Sequence, residues 1–265
     1  MHPFTQLQPA ADAVAIHWFQ QSSYAVKDPQ GTTVLIDPYF PHERPAERFV
    51  HGAPPVDEAD FPVDYVLLTH DHMDHTHPET LQRILQHFPQ VRFIGPHESI
   101  ARLTNAVGAS PDQCVTVAAG DTATAGSMTV QVVYAKPPAG DPAAGIKPPD
   151  VTHLGYVVRA GQRVLYFTGD PINTFADHAD LVNAVAALQP EIGFMTTHPT
   201  EGEFPFFPGC VKMAKGIGLR HVVPAHRSCF VKRDYDPHVW AGHFGPSDPT
   251  PLIIPHNSAI LYRGA

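Results

Sequence analysis

The sequence predicts an α/β fold built of two similar halves. Three observations carry this. The chain opens with short β-rich runs that have no helix between them. Apolar strands then alternate with amphipathic helices. The same succession, strands first and β-α-β after, returns in the second half. No sequence repeat stands out and no linker divides the chain, so residues 1–265 are read as one domain.

The opening runs are Val14–Trp18, Ser23–Val26 and Thr33–Ile36, rich in β-branched and aromatic residues. Lys27–Gly31 between the last two has turn chemistry, and the third run stops at Asp37–Pro38. A Pro-rich stretch from Pro41 to Pro62 reads as a surface excursion. Tyr65–Leu68 is an apolar strand. Pro78–His87 has helical spacing, with Leu81, Ile84, Leu85 and Phe88 on one face. Val91–Ile94 is a strand, Glu98–Val107 a helix ended by Gly108, and Val115–Val117 a strand. Such alternation makes parallel pairing, with helices covering the sheet.

Strands return at Met128–Tyr134, Gly155–Val158 and Val164–Phe167. Residues 136–149 are too rich in Pro and Gly for a helix or central strand. A loop of that length inside a compact domain is usually functional, and it is expected to border a cleft. Phe175–Leu188 is predicted helical, Ile192–Thr196 a strand, Gly209–Ile217 a helix, Val222–Val223 a short strand and Ala259–Tyr262 the last strand.

Composition limits the function. Hydrophobic residues make up 43% and charged residues 16%, which excludes a disordered chain. The net charge of −9 argues against coating nucleic acid or an anionic membrane. No secretory signal opens the chain and no apolar run approaches the length of a membrane span, so a cytoplasmic protein with a small-molecule substrate is expected, with homo-oligomerisation possible. The three cysteines, Cys114, Cys210 and Cys229, are far apart and form no thiolate cluster. The 18 histidines need a chemical account, since His is the commonest metal ligand.

That account centres on Thr69–His70–Asp71–His72–Met73–Asp74–His75, directly after the strand Tyr65–Leu68. Three imidazoles and two carboxylates fall within six residues at the C-terminal end of a strand, where open α/β sheets place their sites. On a tight turn they can divide between adjacent metals, His70 and His72 on one and Asp74 and His75 on the other. The competing reading is a solvated polar turn.

H-x-H-x-D-H after an apolar strand resembles the motif of the metallo-β-lactamase superfamily, here His70, His72, Asp74 and His75. The resemblance implies a four-layer αβ/βα sandwich of two similar halves with a metal site between sheet edges. It also implies three downstream ligands. Asp170, in the Gly-Asp pair after Val164–Thr168, fits the bridging aspartate. His226, ending His221–Val222–Val223–Pro224–Ala225–His226, fits the last histidine, while His221 reads as structural. His153 has the right order for the third, with a lone loop histidine as the alternative. Trp18–Tyr24, Leu35–Tyr39, Leu68–His75 and Phe93–Pro96 look like the L-ascorbate-6-phosphate lactonase branch, from whose pattern His153 is a departure.

The resemblance implies a hydrolase that uses a metal-bound hydroxide, with Asp74 orienting the nucleophile and accepting its proton. Two divalent ions are expected, Zn or Mn foremost, with Fe and Ni also compatible with imidazole and carboxylate donors. The expected activity is that of a lactonase on a small sugar-acid-like substrate. The alternatives are a phosphodiesterase of the same fold, acting on a small phosphodiester, phospholipid or RNA, and a non-hydrolytic iron dioxygenase or sensor. His198, after the strand Ile192–Thr196, reads as a ligand, a substrate contact or a surface histidine. Arg227, beside His226, reads as a fork for a substrate phosphate or carboxylate, or as a surface ion pair. Phe204, Phe206 and Phe207 either wall a pocket or pack on the fold.

Overall fold

In a computed structural model, residues 1–200 and 202–264 are described. The first sheet holds β1 (Val14–Gln20), β2 (Ser23–Lys27), β3 (Thr33–Ile36), β4 (Tyr65–Leu67), β5 (Arg92–Gly95) and β6 (Cys114–Thr116). The second holds β7 (Thr122–Ala125), β8 (Met128–Tyr134), β9 (Leu154–Ala160), β10 (Arg163–Phe167), β11 (Ile192–Thr196), β12 (His221–Ala225) and β13 (Thr250–Pro251). The last strand, β14 (Ser258–Tyr262), crosses back to pair antiparallel with β1.

The two sheets share one pattern. In the first, β1–β2–β3 are antiparallel and β3–β4–β5–β6 parallel. In the second, β7–β8–β9–β10 are antiparallel and β10–β11–β12–β13 parallel. Hairpins link the antiparallel strands. The parallel strands need helical crossovers, which land on the outer faces.

Alternation along the strands sets the layers. Val14, Ile16 and Trp18 of β1 meet Val130, Tyr156, Leu165 and Phe194 of the second sheet in a core between the sheets. Ala15, Phe19, Val66 and Phe93 face outward under α1 (Pro78–His87) and α2 (His97–Arg102). Tyr166, Met195 and Val222 face outward under α3 (Ala179–Ala186), α4 (Phe207–Ile217) and α5 (Pro237–Ala241). This is the four-layer αβ/βα sandwich that the sequence predicts. Strands buried on both faces explain the near-continuous apolar runs.

Several elements differ from expectation. Phe175–Leu188 is not one helix: a 3-10 turn at Phe175–Asp177 precedes α3, and His178 between them is extended (φ −95°, ψ 98°). The His178 ring is drawn to Asp141, whose Oδ2 lies 3.1 Å from Nε2 and also accepts from Thr174 Oγ1 at 2.8 Å. The predicted helix Glu98–Val107 is α2 followed by a wider π-type turn, closed by Gly108 in the left-handed region. The stretch from Pro41 to Pro62 is more than a surface excursion, because Phe49 and Val56 are buried and Phe49 bridges to Phe230. No helix of the described residues is long and apolar enough to cross a membrane.

Candidate metal centre

Both sheets turn one edge toward a common cleft. His70 follows β4, Asp170 follows β10, His226 follows β12, and His153 precedes β9, which runs antiparallel to β10. Two bonds sew the start of β9 to the turn after β4. Leu154 N–H donates to the Thr69 carbonyl at 2.9 Å, and Tyr156 Oη donates to the Leu68 carbonyl at 2.6 Å. They stack His153 on His70, with ring centroids 4.1 Å apart. Gly169 permits the tight turn into Asp170. It has φ +55°, and a Cβ there would lie 2.4 Å from the Leu154 carbonyl oxygen.

Three overlapping groups of donors result: His70, His72 and His153; His70, His75 and Asp170; and Asp74, His75 and His226. Within each group the donor atoms lie within 4.8 Å of one another. Asp170 links the two ends, with its oxygens 3.6 Å from His75 Nε2, 3.8 Å from His70 Nε2 and 3.9 Å from His226 Nε2. All seven sequence-predicted ligands therefore converge. His70 and His72 share one group and Asp74 and His75 another, while the middle group joins His70 to His75.

The hydrogen bonding fits metal ions. Buried polar groups ordinarily find partners. Here His70 Nε2, His75 Nε2, both nitrogens of His153 and Asp170 Oδ1 are buried with no hydrogen-bond partner. The Nδ1 sides of His70 and His75 are held. Asp37 Oδ2 takes His75 Nδ1 at 2.7 Å and the Thr69 hydroxyl at 2.6 Å, and Thr69 Oγ1 in turn lies 3.0 Å from His70 Nδ1. With the Thr69 proton committed to Asp37, His70 Nδ1–H donates to Thr69 and Nε2 keeps its lone pair for the cleft.

Charge points the same way. Burial alone lowers the pKa of His75, but Asp170, Asp37 and Asp74 outweigh it and hold it up at about 10. Burial, reinforced by His75 and His153, drives His70 far down, and burial with Lys136 takes His153 to about 3. Burial opposes the charge on Asp170, yet His75 and His226 keep its carboxyl below the usual range. Neutral imidazoles and ionised carboxylates are the forms that bind cations, so His70, His153 and Asp170 stand ready while His75 must first give up its proton.

Sequence reasoning missed four neighbours. Asp37 reads in the sequence as the stop of a strand and part of a branch resemblance, and it directly follows β3, which lies beside β4. Gln21 Nε2 donates to Asp74 Oδ2 at 2.6 Å and lies 3.0 Å from His226 Nε2. Asp150 places both oxygens 3.2 Å from His72 Nε2, and Lys136 lines the cleft, so both ends of the Pro-rich loop border it. Asp71, the other carboxylate of the motif, faces Arg102 in a bidentate pair at 2.6 and 2.8 Å, which ties the turn to α2.

The two weaker candidates lie outside the cleft lining. His198 is buried at the end of β11, where Nδ1 accepts from Thr200 N–H and the ring stands edge-on to Tyr235. The Arg227 guanidinium stacks 4.0 Å over Trp18 and donates to the Ile254 carbonyl at 2.9 Å, which spends its fork on the fold. The three phenylalanines divide. Phe204 walls the cleft 4.9 Å from the His226 ring, Phe206 precedes α4, and Phe207 packs in the outer core. The cleft itself measures about 850 Å³.

A family model described as the beta-lactamase superfamily domain matches residues 32–227, from β3 through the His70–His75 turn to His226. The chain belongs to the beta-lactamase superfamily. It is 27% identical over 238 residues to a metal-dependent hydrolase of the UPF0173 group from Anaeromyxobacter dehalogenans, covering 85% of this chain and 78% of that protein. It is 25% identical over 190 residues to a "Probable L-ascorbate-6-phosphate lactonase" from Salmonella paratyphi B. That match covers 66% of this chain and 52% of the lactonase, so it spans about half the lactonase's length. Among solved structures, the isothiocyanate hydrolase from Delia radicum gut bacteria superposes with a TM-score of 0.73 at 17% identity, over 94% of this chain and 98% of that one. The chain is a metal-dependent hydrolase of this superfamily.

Proposed function

We propose that this superfamily member opens lactones of small sugar-acid-like substrates, with two divalent cations as cofactor, Zn or Mn foremost. The observation that carries the cofactor is the set of orphaned buried donors on His70, His75, His153 and Asp170. His70, His72 and His153 would hold one cation, Asp74, His75 and His226 the other, with Asp170 between them. Bound cations supply Lewis acidity and lower the pKa of water toward neutrality.

The chain's own residues do the rest. Burial works against the charge on Asp74, but His75 and His226 keep its carboxyl well below the usual range, so it remains an acceptor that orients water. Gln21 fixes one of its oxygens. Tyr39 and Phe204 line the cleft and limit the access of bulk water. The lactone reading draws its support from the similarity to the named lactonase.

A panel of lactones and phosphodiesters, assayed with added Mn or Zn and again after chelation, tests the proposal. Cation-dependent lactone opening is expected. A preference for phosphodiesters, or one tightly held iron with no hydrolysis of any ester, would replace it.

A further inference from the structure

We infer that Lys136 is the receptor for an anionic group of the substrate, with the Glu203 carboxylate standing where that anion binds. The inference rests on the cleft being the hydrolytic site and deepens that reading by naming a substrate class.

Lys136 lies just beyond β8, at the start of the Pro-rich loop. It is only 6% exposed, yet it lines the cleft with Asp170 and His226. A buried ammonium needs a counter-charge. Among the described residues, the carboxylate that pairs with it belongs to Glu203, whose side chain is 75% exposed and also lines the cleft. The pair is lopsided: the cation is built into the wall, while its partner reaches in from solvent. Ordering a long exposed side chain costs rotamer entropy, and its solvated end is screened. An anion already held by the rest of a bound substrate pays neither cost again, so it can displace Glu203.

A second observation supports this. Lys136 lines the same cleft as His72, which shares a donor group with His70 and His153. A fixed ammonium beside a cation is repulsive unless an anion lies between them. The other walls are aromatic. Tyr39, Phe204 and Phe230 line them, with Arg233 stacked 5.5 Å from the Phe204 centroid and Arg48 5.7 Å from that of Phe230. The substrate class that fits is a small lactone that lays one ring face on these aromatic side chains and carries a carboxylate or phosphate group.

The test measures binding to the cation-loaded protein of two probes of similar shape, naphthalene-2-sulfonate and methyl 2-naphthyl sulfone. Sulfonate is a poor metal ligand, so its charge is read mainly by side chains. The anion is expected to bind about 10-fold tighter than the sulfone. Lys136→Met should reduce that ratio to below about 3-fold with the sulfone unchanged, Lys136→Arg should keep it, and Glu203→Gln should tighten the anion by a few-fold. Metal content is measured for every variant, so lost cations are not mistaken for a lost receptor. Equal binding of the two probes, no binding of either at millimolar concentration, or an unchanged ratio in fully loaded Lys136→Met would overturn the inference. Failure of the hydrolase reading shows separately, as absence of turnover on the ester panel while probe binding stays readable.

Discussion

Asp37 Oδ2 lies 2.7 Å from His75 Nδ1, and this contact decides which nitrogen of the ring faces the cleft. The same carboxylate accepts the Thr69 backbone N–H at 2.8 Å and the Thr69 hydroxyl at 2.6 Å, and through Thr69 it also orients His70. One residue that touches no substrate thus aims two ligands. Asp37→Asn keeps the shape but cannot accept a proton from His75 through its amide nitrogen. It is expected to weaken metal affinity about 10–100-fold while the circular dichroism spectrum stays native. Chelator competition reads the affinity, and an unchanged value would remove Asp37 from the account.

On this reading His75 would exchange a proton for a cation. With Asp170, Asp37 and Asp74 around it, the ring stays protonated to about pH 10 when no cation is bound. Cation binding at pH 7 is therefore expected to release about one proton from this site. Calorimetry in buffers of different ionisation enthalpy counts that proton. Binding without release would mean that His75 is not a ligand.

Gly169 is required by position. A Cβ would meet the Leu154 carbonyl at 2.4 Å and Thr69 Cβ at 3.0 Å, on a backbone with φ +55°. Gly169→Ala is expected to destabilise by at least about 2 kcal/mol, because the strain at φ and the clash add. It should also lower metal content by shifting Asp170. Urea midpoints and elemental analysis check both, and a wild-type midpoint would contradict the geometry.

Acid stability depends in part on a histidine outside the cleft lining. His17 is 2% exposed, with Nε2 2.9 Å from Asn257 Oδ1, and burial pushes its pKa down to about 4 against that hydrogen bond. The unfolded chain binds this proton near pH 6.5, so the stabilisation is complete above pH 6.5 and is lost as pH falls toward 4. The loss is about 1–3 kcal/mol. His17→Gln, which cannot titrate, should flatten the denaturation midpoint between these limits. An equal slope in both proteins would assign the dependence to other groups.

Much of the fold and of the candidate donor set is legible in the sequence, for a physical reason. Strands buried on both faces write apolar runs, and a cation site at strand ends writes its donors directly after them, as at Leu68–Thr69–His70 and Phe167–Thr168–Gly169–Asp170. What stays hidden depends on pairing across the chain. Asp37 matters because β3 lies parallel beside β4, and Gln21 because its bend bridges to Arg227. Arg227 beside His226 reads locally as a substrate fork or a surface ion pair, yet Trp18 and Ile254, distant in sequence, engage it. The break at His178 likewise follows from Asp141, a residue 37 positions away. Local pattern reports which residues are buried or clustered, whereas second partners are fixed only when the sheets close.

The central claim is that His70, His72, Asp74, His75, His153, Asp170 and His226 hold cations without which this chain hydrolyses nothing. The most direct measurement is lactone turnover by one preparation before chelation, after it, and after Mn or Zn is returned, with metal content determined at each stage. The account predicts turnover that disappears with the metal and comes back with it. Undiminished turnover by metal-free protein would contradict it.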